Sequence, residues 1–379
     1  MDALVIGCGL TGVVIARHLA EQGKKVVIWE QRNHVGGNMY DYVDNHGILV
    51  QKYGPHTFHT SSKPLYDYIC RYEKWDEYKL LCGAVIDGIC TPTPFNFRTI
   101  EDFYATAAVV DLKRRIRQQF GDRKTATVLE VLQCSDLQVR AYAQFLFDKD
   151  YSLYTAKQWG MSPNEIDISI LNRVPLRFSY EEGYFEDIYQ VMPRHSFTAF
   201  FEHLLAHENL NVELGVDALQ RFSVSTEKKM LYIDGELFEK PVIYTGALDE
   251  LFNGIYGCLP YRSLRFEWKY ENIESKQLYP VVAYPQAEGF TRITEYKKLP
   301  RQTSPGTTYA VEYPLSYTNR KKTEPYYPVL TEKSQKQYQA YRDLATEITN
   351  LYPCGRLGDF KYYNMDQALQ RALDICNAF

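Results

Sequence analysis

No Cys-x-x-Cys pair occurs in this 379-residue chain, which excludes a zinc knuckle and a thioredoxin-type redox motif. The eight cysteines (Cys8, Cys70, Cys82, Cys90, Cys134, Cys258, Cys354 and Cys376) are scattered. They read as reduced, mostly buried thiols of a cytosolic protein, and no metal site is expected. Basic residues are not in excess: 43 Lys and Arg against 47 Asp and Glu leave a net charge of −4. That argues against a nucleic-acid partner held through its phosphates, which needs a basic surface. No apolar run approaches the roughly 20 residues of a membrane span. The N-terminus lacks a basic stretch followed by a long apolar one, so no signal peptide is expected and the predicted location is cytoplasmic. Repeats and low-complexity linkers are missing too, so the domains are expected to interleave rather than follow in series.

What is plentiful is tyrosine, with 32 residues. A flat apolar body with a polar tip suits a wet ligand site, although a Tyr-rich core edge would look the same. Residues 2–7 read as a strand, 12–22 as a helix ending at Gly23, and 25–30 as a second strand, a βαβ opening. The stretches 99–120 and 125–160 carry apolar residues at helical spacing. Within them "LKRRIRQQF" (112–120) reads as a solvated basic helix face, with a dimer contact or anion site as the alternative. From 166 to 190 the pattern turns strand-like, in "RVPLRFSY" and "GYFEDIYQ". Later, "SLRFEWKY", "YPVVAYP", "FTRITEYKKL" and "TTYAVEYPL" alternate as an antiparallel sheet does. A long helix around 331–352 and a last one from near Asp366 complete the chain.

The opening "VIGCGLTG" carries the chemistry. Gly7 allows a tight strand-to-helix turn, Gly9 lets a pyrophosphate approach the backbone, and Gly12 lets the helix pack close to the strand. The helix N-terminus offers N–H groups to the pyrophosphate. The second strand ends in Glu30, placed to accept both ribose hydroxyls of an adenosine. Either NAD or FAD fits so far. The continuation "EQRNHVGGN" resembles the segment of glutathione-reductase-type and amine-oxidase-type flavoproteins in which Arg32, Gly37 and Asn38 run along FAD. "IYTGAL" fits these flavoproteins as well. "GRLGDFKYYNMDQAL" puts Arg356 in a loop leading past Asn364 and Met365 to a helix N-terminus that can face the flavin. No second GxGxxG for NAD(P)H is found, a first sign that net redox is not the task.

Further stretches resemble one family, the bacterial FAD-dependent UDP-galactopyranose mutases: "KYGPHTFHT", "TPFNF", "YTAKQWG", "NRVPLRF", "GYFEDIYQ", "YRSLRFE", "FTRITEYK", "EYPL", "EPYYPV" and "GRLGDFKYYNMD". They follow the family's order over nearly the whole chain. The resemblance implies an α/β fold with discontinuous domains: a Rossmann-like FAD-binding domain (1–80, 191–258, 328–379), an inserted helical bundle (97–165) and an antiparallel sheet domain for substrate (81–96, 166–190, 259–327). It implies interconversion of UDP-galactopyranose and UDP-galactofuranose by ring contraction, a step in making cell-surface polysaccharide. The reduced form of FAD is the active one, its N5 attacking the anomeric carbon.

The same resemblance assigns residues. Arg173 and Arg292 match the two diphosphate-binding arginines, with Arg173 in a loop that closes over substrate. Tyr184, Tyr327 and Tyr362 match phosphate-binding tyrosines, Tyr154 a uracil-stacking residue, and Trp159 a wall of the sugar pocket. His56 matches a histidine beside the flavin ring and Arg356 a residue near its ribityl chain or N5. Arg262 and Glu312 match residues close to the site. A UDP-sugar is the implied substrate, an external reductant such as NAD(P)H the implied electron source, and a homodimer the implied assembly. The chain departs from the family at Ala283, where a polar residue is common, and at Asn364, where Asp is common. These leave the same mechanism on UDP-N-acetylgalactosamine, a 6-deoxyhexose or arabinose as alternatives. An amine-oxidase-type flavoenzyme is a further alternative, sharing only the N-terminal signals.

Overall fold

The first strand, β1 (Ala3–Ile6), is buried along its whole length and pairs in parallel with neighbours on both sides. A strand apolar on both faces needs cover above and below, which is the situation of a doubly wound sheet. The computed structural model describes residues 1–160, 174–318, 323–377 and 379. In it β1 is central to a five-stranded parallel sheet with the order Leu210–Leu214, β2 (Val26–Glu30), β1, Val242–Tyr244, Leu351–Pro353. The helix α1 (Leu10–Glu21) covers one face with its Val13, Val14 and Ile15, packing on the last helix, Met365–Cys376. α1 begins at Leu10, two residues before the expected start, because the turn at Gly7 delivers the chain straight into it.

The second sheet has seven strands, in the order Tyr327–Pro328, Tyr261–Glu271, Thr307–Ser316, Arg292–Glu295, Val281–Ala283, Cys82–Ile86, Ile89–Thr93. It is antiparallel except at one junction, where Val281–Ala283 runs parallel to Cys82–Ile86. Two distant parts of the chain meet there, so no hairpin dictates the direction. Register places Ala283 beside Arg292 and Arg292 beside Glu312. A separate core forms around Phe95, Ile100, Leu112, Ile116, Tyr142 and Leu146, beneath the helices Thr106–Phe120 and Leu137–Leu146. On the first of these, Arg114 and Arg115 pair with Asp111 and Lys113 with Glu101, as on a solvated face.

Three expectations fail locally. In "GYFEDIYQ" only Tyr189 and Gln190 belong to a strand, Tyr189–Pro193. In "RVPLRFSY" the described strand is Leu176–Arg177 alone. The cause is Arg177, which is 4% exposed and whose guanidinium donates to the carbonyls of Gly183 and Tyr184. The backbone of 181–184 thus wraps around a buried cation instead of joining a sheet. Gly355 and Arg356 stand in a short helical turn, Gly355–Gly358, rather than an open loop. A three-stranded meander over Phe222–Phe238 was not anticipated. Among the described residues no helix is long and apolar enough to cross a membrane.

Candidate active site

The turn after β1 is built by what glycine lacks. Gly7 has φ +105°, and a Cβ there would lie 2.0 Å from Thr245 Oγ1, itself held by a hydrogen bond to Ile6 O (2.8 Å). A Cβ on Gly12 would lie 2.2 Å from Gly7 O, so close packing of α1 requires its absence. Gly9 differs: a Cβ would reach nothing nearer than Gly37 Cα at 4.0 Å. The space over Gly9 is open to a ligand, not filled by protein.

At the end of β2 the Glu30 carboxylate is 6% exposed, and Cys8 N (2.8 Å) and Arg32 N (2.9 Å) both donate to it. Arg32 Nη2 donates to Asn38 Oδ1 (3.0 Å) and to Glu324 Oε2 (2.7 Å), spanning the cleft wall. Gly37, Thr245, Arg356, Asn364 and Met365 also line this cleft, with Asn364 at the N-cap of Met365–Cys376. Two helix N-termini, an open glycine cradle and a fixed carboxylate fit a dinucleotide with a pyrophosphate at its middle.

A second, larger cavity of about 680 Å³ opens from the first. Asn38, His56, Arg356, Tyr363, Asn364 and Met365 line both and mark the junction. His56 Nδ1 lies 2.8 Å from Gly54 O. A carbonyl only accepts, so Nδ1 carries the proton and Nε2 keeps its lone pair. Burial, aided by Arg356 and Arg292, lowers the imidazole from 6.5 to about 4. The unfolded chain therefore binds this proton more readily than the folded one. The contribution to stability is complete above pH 6.5 and is lost as pH falls toward 4. Between pH 7 and 5 the wild type should lose more stability than His56→Gln, read as urea midpoints. Equal losses would count against a neutral His56.

Arg292 forms the far wall. Its Nε and Nη2 both donate to Glu312 Oε2 at 2.8 Å, and Glu312 is 2% exposed. Burial works against the guanidinium charge, but Glu312 beside it holds the group protonated. The rest of the planar fork is left for an anion. Tyr154, Trp159, Tyr184, Tyr327 and Tyr362 line the same cavity. Tyr327 stacks on Tyr362 (5.2 Å between centroids), and Trp159 lies 6.4 Å from Tyr327. Burial pushes the Tyr154 and Tyr327 hydroxyls well above their usual range, so both remain neutral donors. Ala283 lines the wall next to Arg292 and leaves room there.

The structure thus brings together every expected site residue except Arg173, which lies outside the described residues. Arg262 is near but not on the wall: its Nε donates to Gln158 O (3.0 Å) and its Nη1 to Ser316 Oγ (3.2 Å). Glu312 sits behind Arg292. Sequence reasoning missed Lys157, whose ammonium donates to the carbonyls of Tyr284, Ala287 and Phe290 at 2.6–2.7 Å. It ties the helix bearing Tyr154 and Trp159 to the hairpin bearing Ala283 and Arg292. Glu324 and Asp150 were missed as well. Asp150 carried a usable signal, its helical spacing of four from Tyr154.

A family model for UDP-galactopyranose mutase matches residues 149–362, and one for an NAD(P)-binding Rossmann-like domain matches 5–72. The UDP-galactopyranose mutase of Mycoplasma pneumoniae is 33% identical, the match covering 98% of this chain and 94% of that protein. The dTDP-fucopyranose mutase of Escherichia coli is 32% identical, covering 99% and 97%. A crystal structure of reduced UDP-galactopyranose mutase superposes with a TM-score of 0.74 over 99% of this chain and 93% of that one. At 15% identity it speaks for the fold alone. With the family model spanning more than half of its length and full-length relatives about one-third identical, this chain belongs to the UDP-galactopyranose mutase family.

Proposed function

We propose that the protein is an FAD-dependent nucleotide-sugar mutase that interconverts UDP-galactopyranose and UDP-galactofuranose. The observation that carries this is the joined pair of cavities, with a dinucleotide cleft opening at His56 and Arg356 into a chamber walled by Arg292 and neutral tyrosines. An amine substrate would find a cation on that wall, whereas a diphosphate finds a partner. Bound and reduced, FAD supplies a nucleophilic N5 for the anomeric carbon.

The chain's own residues then have defined tasks. Arg292, pre-set by Glu312, takes the diphosphate together with hydroxyl donors from Tyr184, Tyr327 and Tyr362. Charge-assisted hydrogen bonds contribute about 1.5–3 kcal/mol each, enough to retain UDP after its bond to the sugar breaks. Tyr154 stacks on the base and Trp159 bounds the sugar, while Arg173, assigned to the diphosphate by the family's motif, lies outside the described residues. Neutral His56 presents its Nε2 acceptor where the two cavities meet.

A second substrate, a 6-deoxyhexose on a nucleoside diphosphate, is favoured by Ala283. A methyl group there replaces a polar side chain in the wall, and the Escherichia coli relative is named for a dTDP-fucopyranose. The test is to incubate the FAD-loaded protein with UDP-galactofuranose, with and without dithionite, and to separate the products. Conversion to UDP-galactopyranose only after reduction is expected. Turnover of a dTDP-6-deoxyfuranose and not of UDP-galactofuranose would transfer the assignment to the second sugar. Oxygen consumption with an amine would overturn both.

A further inference from the structure

The cavity wall carries a carboxylate with no task so far. Asp150 stands in a π-helical turn, Phe147–Tyr151, leading into the helix Ser152–Trp159. Such turns are rare and concentrate at functional sites. Asp150 precedes Tyr154 by four residues, one helical turn, and both line the cavity. Among the described residues its carboxylate has no hydrogen-bond or ion-pair partner. Its neighbours are engaged elsewhere: Tyr151 Oη donates to Val174 O (2.8 Å), and Lys157 is taken by its three carbonyls. Burial pushes its carboxyl up to about 7, opposed by Lys157 alone.

Asp150 shares the cavity wall with Tyr154, one turn further along the helix, while Arg292 is paired with Glu312 on the strand side of the same cavity. A lone carboxylate on a cavity wall lacks N–H or O–H donors, and leaving it unpaired when a ligand displaces water is costly.

Resting on the reading of this cavity as a nucleotide-sugar site, we infer that Asp150 accepts a hydrogen bond from the imide N3–H of the substrate's pyrimidine. Uracil and thymine share that donor. Cytosine has a lone pair at N3, which the carboxylate repels once it is ionised, above about pH 7. Asp150 is thus a base-selecting residue that admits uridine and thymidine diphosphates and rejects cytidine diphosphate.

The test is calorimetric titration of the FAD-loaded protein with UDP, dTDP and CDP at about pH 8.5, where the carboxyl is ionised. The wild type should bind UDP and dTDP at least about tenfold more tightly than CDP. Asp150→Asn offers both an acceptor and a donor, and should bring CDP to within about threefold of UDP. Asp150→Leu should weaken UDP by about tenfold with its flavin content unchanged. An unaltered UDP-to-CDP ratio in Asp150→Asn, or full UDP affinity in Asp150→Leu, would overturn the role of Asp150. A wild type that binds none of the three would instead overturn the nucleotide-sugar reading beneath it.

Discussion

Arg292→Ala is expected to lower kcat/KM by roughly a hundredfold to a thousandfold while the protein stays yellow and folded. Two losses combine. The diphosphate loses a planar, charged donor set. Glu312, 2% exposed and held by both Nε and Nη2, is left as an uncompensated negative charge facing an anionic substrate. Losing two charge-assisted hydrogen bonds to the diphosphate removes about 1.5–3 kcal/mol each, and each 1.36 kcal/mol is about tenfold in rate. Removing the stranded charge as well, in Arg292→Ala with Glu312→Gln, should recover part of the loss. Steady-state rates on the reduced protein, with flavin absorbance as control, decide the matter. Wild-type turnover in Arg292→Ala would end the diphosphate assignment.

Gly9→Val should yield a folded protein that carries no flavin. A Cβ on Gly9 meets nothing nearer than 4.0 Å, so the fold tolerates the branch. The branch instead occupies the approach to the first N–H groups of α1, where a pyrophosphate must sit. Gly12→Val provides the contrast: its Cβ would lie 2.2 Å from Gly7 O, and the parallel sheet itself should fail to form. Visible absorbance and far-UV circular dichroism separate the two outcomes. Gly9→Val isolated with a full complement of FAD would overturn the cradle.

Much of the cofactor cleft is legible because its parts are close in the chain. Gly7, Gly9, Gly12, Glu30, Arg32, Gly37 and Asn38 fall within one βαβ unit, whose turn, helix start and strand end are local events. Local chemistry of this kind leaves a readable trace. The stretch "GYFEDIYQ" (183–190) shows the opposite case, since only its last two residues join a strand. Its alternation reads as a strand, yet the buried guanidinium of Arg177 draws its carbonyls inward, a tertiary demand that outweighs propensity.

The residues that line the larger cavity are indicated only by the family's motifs, since no spacing in the chain links its walls. By itself the sequence determined the glycine turn, the carboxylate at the end of β2, the periodicity of the main helices and the alternation of the large sheet. Only the tertiary structure decided that Glu312 stands behind Arg292, that Lys157 binds helix to hairpin through three carbonyls, and that Asp150 lines the cavity without a partner among the described residues. The reason is physical. Local features follow from backbone geometry within a few residues, whereas strand register between distant segments sets which charges meet, and a shift of one residue would turn Arg292 to the opposite face.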